Sequence, residues 1–309
     1  MLSTIKKTIK HNLAVYFMVL ACLDFALVGA CAKILSTEGL PSIEVVFFRN
    51  LIAAFYLYYL FKKSTLKQKE GGHFGILIFR GVAGVLSLYL LFYNIEHITL
   101  GGAYSFQKTA PIFTTLIAFF VFKESIGFRG WIAVGVGFVG VLLIAQPFAS
   151  EDFHTGFEAK NCLLGVLCGF LSAISVVSAR KLRHYYTTEK IALSFMVVGT
   201  LVPLLSMIVG GFYAPKELDF VICGFVLPSA KSVLFIVVMG ILGAVYQIHL
   251  TKSYGVAKKA GIVAGVSYLD VVFSLILGLF LGDSFPSAMV FAGIVSIIGG
   301  GIILVLSKT

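Results

Sequence analysis

The chain has 309 residues, of which 59% are hydrophobic and only 12% charged, whereas a soluble domain carries about 25% charged residues. Those proportions exclude a soluble catalytic or binding domain and describe a membrane protein. A net charge of +10 would suit nucleic acid on a soluble chain, but here its placement follows membrane topology, and no nucleic-acid partner is expected.

Ten apolar segments are long enough to cross about 30 Å of hydrocarbon at 1.5 Å per residue. They run from Leu13 to Leu35, Ile43 to Phe61, Phe74 to Tyr93, Leu100 to Phe122 and Phe128 to Gln146, then from Cys162 to Ala179, Ile191 to Phe212, Val233 to Leu250, Gly261 to Leu281 and Ser287 to Leu306. In lipid every backbone amide must be satisfied within its own segment, so each run reads as an α-helix. Lys6, Lys7 and Lys10 before the first run, and Gly29-Ala30-Cys31-Ala32 near its end, imitate a cleaved leader. The run is longer than the roughly 7 to 15 residues of a signal core and has Asp24 at its centre, so it reads as an uncleaved span. Short connections such as Ser36 to Ser42 force antiparallel neighbours. Pro147 to Lys160 (PFASEDFHTGFEAK) is the one connector with a shift in composition. Cys22, Cys31, Cys162, Cys168 and Cys223 lie mostly inside apolar runs without CxxC spacing, and read as small packing residues.

Basic residues alternate between connections. Seventeen fall on the side of the N-terminus: Lys6, Lys7 and Lys10, then Lys62, Lys63, Lys67 and Lys69, Lys123 and Arg129, Arg180, Lys181, Arg183 and Lys190, Lys252, Lys258 and Lys259, and Lys308. The opposite loops hold three, Lys160, Lys216 and Lys231. By the positive-inside rule both termini are cytoplasmic and the protein belongs in the cell membrane. Lys33 and Arg80, near span ends, are expected to snorkel.

The stretch from Gly101 to Gly140 returns 159 positions later, with Gly261 on Gly102, Asp270 on Pro111, Asp283 on Glu124, Ser284 on Ser125 and Gly299 on Gly140. Literal identity is low; the ungapped register of the special residues carries the repeat. Five spans per half is an odd number, so the second half enters the membrane inverted. The expected fold is therefore an all-α integral membrane protein whose ten transmembrane helices form two inverted-topology five-helix repeats, residues 13–146 and 161–306, joined by an extracytoplasmic connector at 147–160.

An apolar helix ending in an acid (FFVFKES, and GLFLGDS in the second half) followed by a glycine-rich span, on a plan of two inverted five-helix units, resembles the EamA type of the drug/metabolite transporter superfamily over essentially the whole chain. SIEVVFFRN in the second span and SYLD in the ninth look most like members that take up S-adenosylmethionine. The resemblance implies secondary active transport of a small organic metabolite by alternating access, coupled to protons or to exchange, with export of drugs or other metabolites as the alternative. In the second half Asp270 and Asp283 replace that family's mid-helix proline and terminal glutamate.

Four ionisable residues lie near mid-span: Asp24, Arg49, Lys108 and Asp270. Each costs roughly 2.5–3.5 kcal/mol at the bilayer centre, so they are expected to face inward. The repeat puts Asp270 opposite Pro111, one turn from Lys108, which makes a Lys108–Asp270 pair geometrically plausible. Tyr104, Gln107, Lys108 and Pro111 follow i, i+3, i+4, i+7 spacing and share a face if the helix is continuous. With Asp24, Arg49 and Asp270, with Tyr268 and Ser267, and with Tyr89 and Tyr93 on the third span, they compose a candidate site for an amino-acid-like or S-adenosylmethionine-like zwitterion, or for a coupling proton. Structural ion pairs locking helices together are the plainer reading, and the two are compatible. Tyr56, Tyr58 and Tyr59 fit an interfacial belt, and His249 reads as structural.

GxxxG spacing at Gly165/Gly169, Gly261/Gly265 and Gly278/Gly282 points to close packing within the bundle, and leaves a homodimer open. No nucleophile elbow, P-loop or HExxH is present, so no cofactor or metal is expected. Two other classes compete with a transporter. A membrane-embedded enzyme requires a clustered His or acid set near one surface; a scaffold has no need of opposite charges at mid-depth.

Overall fold

The computed structural model describes residues 2–63, 71–123, 127–145, 158–182, 184–256 and 266–307. These form helices α1 (Leu2–Thr37), α2 (Ser42–Lys63), α3 (Phe74–His97), α4 (Leu100–Gln107), α5 (Ala110–Phe122), α6 (Phe128–Ala145), α7 (Ala159–Leu182), α8 (Thr188–Gly210), α9 (Ala230–Val256), α10 (Leu269–Phe280) and α11 (Ala288–Ser307), with a 3-10 turn at Lys216–Leu218. No strand occurs among the described residues. Five segments, Leu13–Thr37, Phe74–His97, Ala159–Ala179, Lys190–Gly210 and Ala230–Leu250, have the length and mean hydropathy, 2.0 to 2.3, to cross a membrane. Most of the connector at 147–160, with Glu124, Ser125, Gly261 and Gly265, lies outside the described residues.

The fourth expected span is not one helix. It stops at Gln107, turns through Lys108 and Thr109, and restarts as α5. Pro111 is the cause: it has no N–H to give the Gln107 carbonyl, and its ring collides with that carbonyl in a continuous helix. Thr109 bridges the gap, its hydroxyl donating to the Phe106 carbonyl at 2.7 Å and its own carbonyl accepting from Ile112 N–H at 2.9 Å. A second turn, at Ser267 and Tyr268, precedes α10. The two turns lie 159 positions apart, the spacing of the sequence repeat.

Helices pack most extensively in the pairs α6–α11, α1–α9, α3–α7 and α2–α8, with α4 lying against α10. The largest buried cluster runs through α1 to α4, and includes Leu35, Ile43, Val85, Leu91, Ile95, Leu100 and Phe106. Outward faces keep bulky apolar side chains exposed, such as Phe138 on α6, Leu205 on α8 and Val295 on α11, as lipid contact requires. Tyr56, Tyr58 and Tyr59 are likewise exposed.

Close approach fixes two of the expected glycine positions. Gly165 of α7 lies under the Phe106 ring, where a Cβ would come within 2.5 Å. Gly282 is different: it lies beyond the end of α10 at φ +92° and serves as a helix stop, with Asp283 N–H returning to the Gly278 carbonyl at 2.8 Å. Of the Gly278/Gly282 pair, Gly282 is thus a turn signal, while Gly278 is closely packed against Asp283 and Leu100. On α6, a Cβ at Gly140 would stand 2.7 Å from the Gly293 carbonyl of α11, whereas one at Gly135 would meet nothing within 4 Å. Gly140→Ala should therefore lower stability by about 1–3 kcal/mol through overpacking. Gly135→Ala should be neutral or stabilising by up to about 1 kcal/mol. Thermal unfolding of the two variants in detergent, read by size exclusion, checks the contrast; equal midpoints would count against the α6–α11 contact.

Candidate functional site

The two helix turns bring opposite charges together. Lys108 caps the C-terminus of α4 and Asp270 lies in the first turn of α10. Lys108 Nζ stands 2.8 Å from Asp270 Oδ2, with the two side chains 15% and 5% exposed, too little for water to carry either charge alone. Lys108 also donates to the Ser267 hydroxyl at 3.4 Å and lies 5.8 Å from the Tyr268 ring centroid. Each charge suits its own helix end, since the helix dipole is negative at a C-terminus and positive at an N-terminus. Asp270 Oδ1 is buried without a hydrogen-bond partner among the described residues. Tyr268 is buried, its hydroxyl end reaching α11 where Gly301 leaves room for it. Gln107 stands half-buried at the turn.

The other candidate residues are distributed differently from the expectation of one shared face. Tyr104 is fully buried and turned toward α1, its hydroxyl donating to the Phe25 carbonyl at 2.5 Å beside Gly29, where any side chain would collide with the ring. Arg49 is 1% exposed on α2. Its guanidinium donates to Asn50 Oδ1 at 3.3 Å, and its Nε has no partner among the described residues. Tyr104 lies within electrostatic reach of both Arg49 and Asp270. Asp24 faces α9, with its Oδ2 2.6 Å from His249 Nδ1. Tyr89 is engaged with the Ser206 hydroxyl of α8 at 3.2 Å. Tyr93 donates to Asp219 Oδ2 at 3.1 Å and accepts from Lys160 Nζ at 2.8 Å, in a cluster at the far end of α3. Tyr89 and Tyr93 therefore do not join the Lys108–Asp270 site.

Two expected snorkelling residues turn inward instead. Lys33 pairs with Asp283 and donates to the Ile98 carbonyl at 3.2 Å. Asp283 also accepts from Leu100 N–H at 2.7 Å, so it satisfies the start of α4 while Thr99 caps Gly102 N–H at 3.3 Å. Arg80 donates to the Ile191 carbonyl at 3.3 Å and covers the Phe195 ring at 4.7 Å. Glu44, fully buried, accepts from Val226 N–H at 3.0 Å and ties the loop before α9 to α2. Apart from the Ile98 carbonyl, 65 positions from Lys33, their partners lie more than a hundred positions away, so no local pattern signalled them. For Asp283 one signal was present: its place in the repeat, opposite Glu124.

A bundle of apolar helices, with one expected span broken at Lys108 and a turn before α10 that meet at a buried, oppositely charged centre, fits a multi-pass membrane transporter. Residues 12–146 match the EamA-like transporter family, and an uncharacterized transporter of Helicobacter pylori is 32% identical over 94% of both chains. The chain belongs to the EamA-type transporters of the drug/metabolite transporter superfamily. The pseudopaline exporter of Pseudomonas aeruginosa is 28% identical over 95% of this chain and 96% of its own. An S-adenosylmethionine uptake transporter of Rickettsia prowazekii is 25% identical over 90% and 87%. A solved crystal structure superimposes with a TM-score of 0.60 over 96% of this chain and 97% of its own, at 16% identity, a likeness of fold alone.

Breaking a buried pair from one side strands the other charge, at a cost of about 3–5 kcal/mol. Lys108→Ala and Asp270→Asn should each lower thermal stability by that order, and the double variant should recover more than the two singles add to. Strictly additive unfolding midpoints would mean that the two side chains do not interact.

Proposed function

We propose that the protein is a secondary active transporter that carries a small zwitterionic organic metabolite across the cell membrane by alternating access of two inverted five-helix halves, residues 13–146 and 161–306. The observation that carries this reading is the Lys108–Asp270 pair at two helix turns 159 positions apart. Inverted-repeat transporters bind their solutes near the midplane, at discontinuous helices. The packing pairs support the two halves: exchanging the first five spans for the last five turns α1–α9 into α7–α3 and leaves α2–α8 and α6–α11 as they are.

In this mechanism the solute replaces the internal partners of the pair. Its cationic group goes to Asp270, where the second carboxylate oxygen and the Tyr268 ring face favour a cation, and its carboxylate goes to Lys108, with Gln107 beside it. Arg49 supplies a further cation for an acidic group. The unloaded pair is closed on itself and costs little in hydrocarbon, while a solute carrying both charges offers equivalent partners. Relatives named for S-adenosylmethionine uptake and pseudopaline export are consistent with a small charged metabolite.

Purified protein in liposomes, screened for counterflow of labelled S-adenosylmethionine and labelled amino acids, tests the reading. Saturable counterflow of a zwitterion is expected, abolished in the folded Lys108→Ala/Asp270→Asn double variant. Undiminished counterflow in that variant would make the pair purely structural, and no solute movement by folded wild-type protein would remove the transport reading.

The same reading places both termini in the cytoplasm. In a cysteine-free background, a cysteine at Ser284 should react with an impermeant maleimide added to intact cells, and one at Lys181 only after lysis. The reverse pattern would invert the topology.

A further inference from the structure

We propose that Asp24 and His249 form the site of a coupling proton, separate from the Lys108–Asp270 solute site. The proposal rests on the transporter reading above. His249 Nδ1 lies 2.6 Å from Asp24 Oδ2, joining α1 to α9. The side chains of His249 and Asp24 are 21% and 13% exposed, and Phe17 stacks on the imidazole at 5.9 Å. Imidazole is the side chain whose ordinary titration falls between pH 5 and 8.

The surrounding charges separate this pair from the solute site. On α9, Lys252 lies 5.5 Å from the Phe17 ring centroid and Tyr246 stacks on Phe25 at 4.7 Å. Asp270 of α10 and Lys108 of α4 address α1 at Cys22, about 200° round the helix from Asp24. Tyr104 of α4 is held by the Phe25 carbonyl. On α2, Arg49 lies toward Tyr246 and Tyr104, and Glu44 is held by Val226 N–H. Tyr89 and Tyr93 of α3 are engaged with Ser206 and Asp219, and Lys33 of α1 is engaged with Asp283. The charged neighbour of Asp24 is His249.

A proton taken from one aqueous side turns the carboxylate and neutral imidazole into a carboxylate–imidazolium pair with no net charge. Its release to the other side leaves one negative charge between α1 and α9. The proton count of a cycle is thereby linked to the packing of one helix from each half. At the counterpart interface, α3–α7, the Ser87 hydroxyl donates to the Cys168 carbonyl at 2.9 Å, and Lys160 Nζ donates to the Tyr93 hydroxyl at 2.8 Å. Position 90, which lies 159 before His249, is leucine.

The test uses wild-type, Asp24→Asn and His249→Gln proteins in liposomes loaded with a pH-sensitive dye, with labelled S-adenosylmethionine and labelled amino acids as probe solutes. One proton per solute across a gradient of about one pH unit sustains up to about tenfold accumulation. Wild type should accumulate a probe along that gradient and alkalinise the proton-rich side. Both variants should keep counterflow within about twofold while gradient-driven accumulation falls to the ungraded level. Gradient-driven accumulation that survives in the variants overturns the proposal, as does wild-type counterflow that ignores the gradient. Absence of counterflow in wild type removes the transport reading instead. A solute-independent measurement then decides the proton site: nitrogen NMR of histidine-labelled protein, with the signal assigned by its loss in His249→Gln. The signal should respond to pH and change in Asp24→Asn; a flat signal overturns the proposal.

Discussion

Hydrocarbon tolerates neither an unpaired charge nor an unpaired amide, and the meeting of Lys108 with Asp270 answers both demands. Pro111 forces α4 to end within the bundle, which leaves helix-terminal carbonyls where no water is guaranteed. An ammonium at that C-terminus and a carboxylate in the first turn of the facing helix oppose the local dipoles as well as one another. The turn and the ion pair are thus one feature. A continuous fourth helix would give Lys108 no terminus to cap, and without the pair the free helix ends would face hydrocarbon unsatisfied.

The α4–α10 unit is tied at both ends. At one end stands the Lys108–Asp270 pair; at the other Asp283 accepts from Leu100 N–H and pairs with Lys33. Between them, Gly101 lies under Leu275 and Gly278 under Leu100, so the helices approach too closely for a side chain at either position. Motion of α10 along α4 would break ionic contacts at both ends together. Tyr104 on Phe25 and Lys33 on the Ile98 carbonyl attach the unit to α1. The helix that carries Asp24, the partner of His249 on α9, is therefore the same helix that holds the Lys108–Asp270 unit in place.

What could be read from the sequence was what depends on length and cost. Runs of about twenty apolar residues set the spans, and the insertion penalty turned Asp24, Arg49, Lys108 and Asp270 inward. The ungapped repeat set Asp270 at the depth of Lys108. Direction was harder to read, because helices such as α3 are apolar on most faces and their periodicity does not say which neighbour a tyrosine meets. Tyr89 and Tyr93 accordingly turned to α8 and to Asp219. Pro111 was visible, but a proline can either kink or break a helix, and the acid that meets the turn at Lys108 lies in the other half of the chain. Lys33 and Arg80 stood near enough to span ends to suggest water, while their actual partners, Asp283 and the Ile191 carbonyl, lie in the other half of the chain.

On the proposed two-half plan, the divergence between the corresponding segments follows from the same electrostatics. At positions 108 and 267 the chain carries lysine and serine; at 111 and 270 it carries proline and aspartate. A faithful copy of the first half would put two ammonium groups at the midplane with no acid between them. A faithful copy of the second would put two carboxylates there with no base. Either arrangement buries like charges, which costs far more than the pair now present. On that plan a charged centre is possible only if each half supplies one sign, so the residues that differ between the halves are the ones that pair. The Lys108–Ser267 contact at 3.4 Å, between the two equivalent positions themselves, lies where the copies meet.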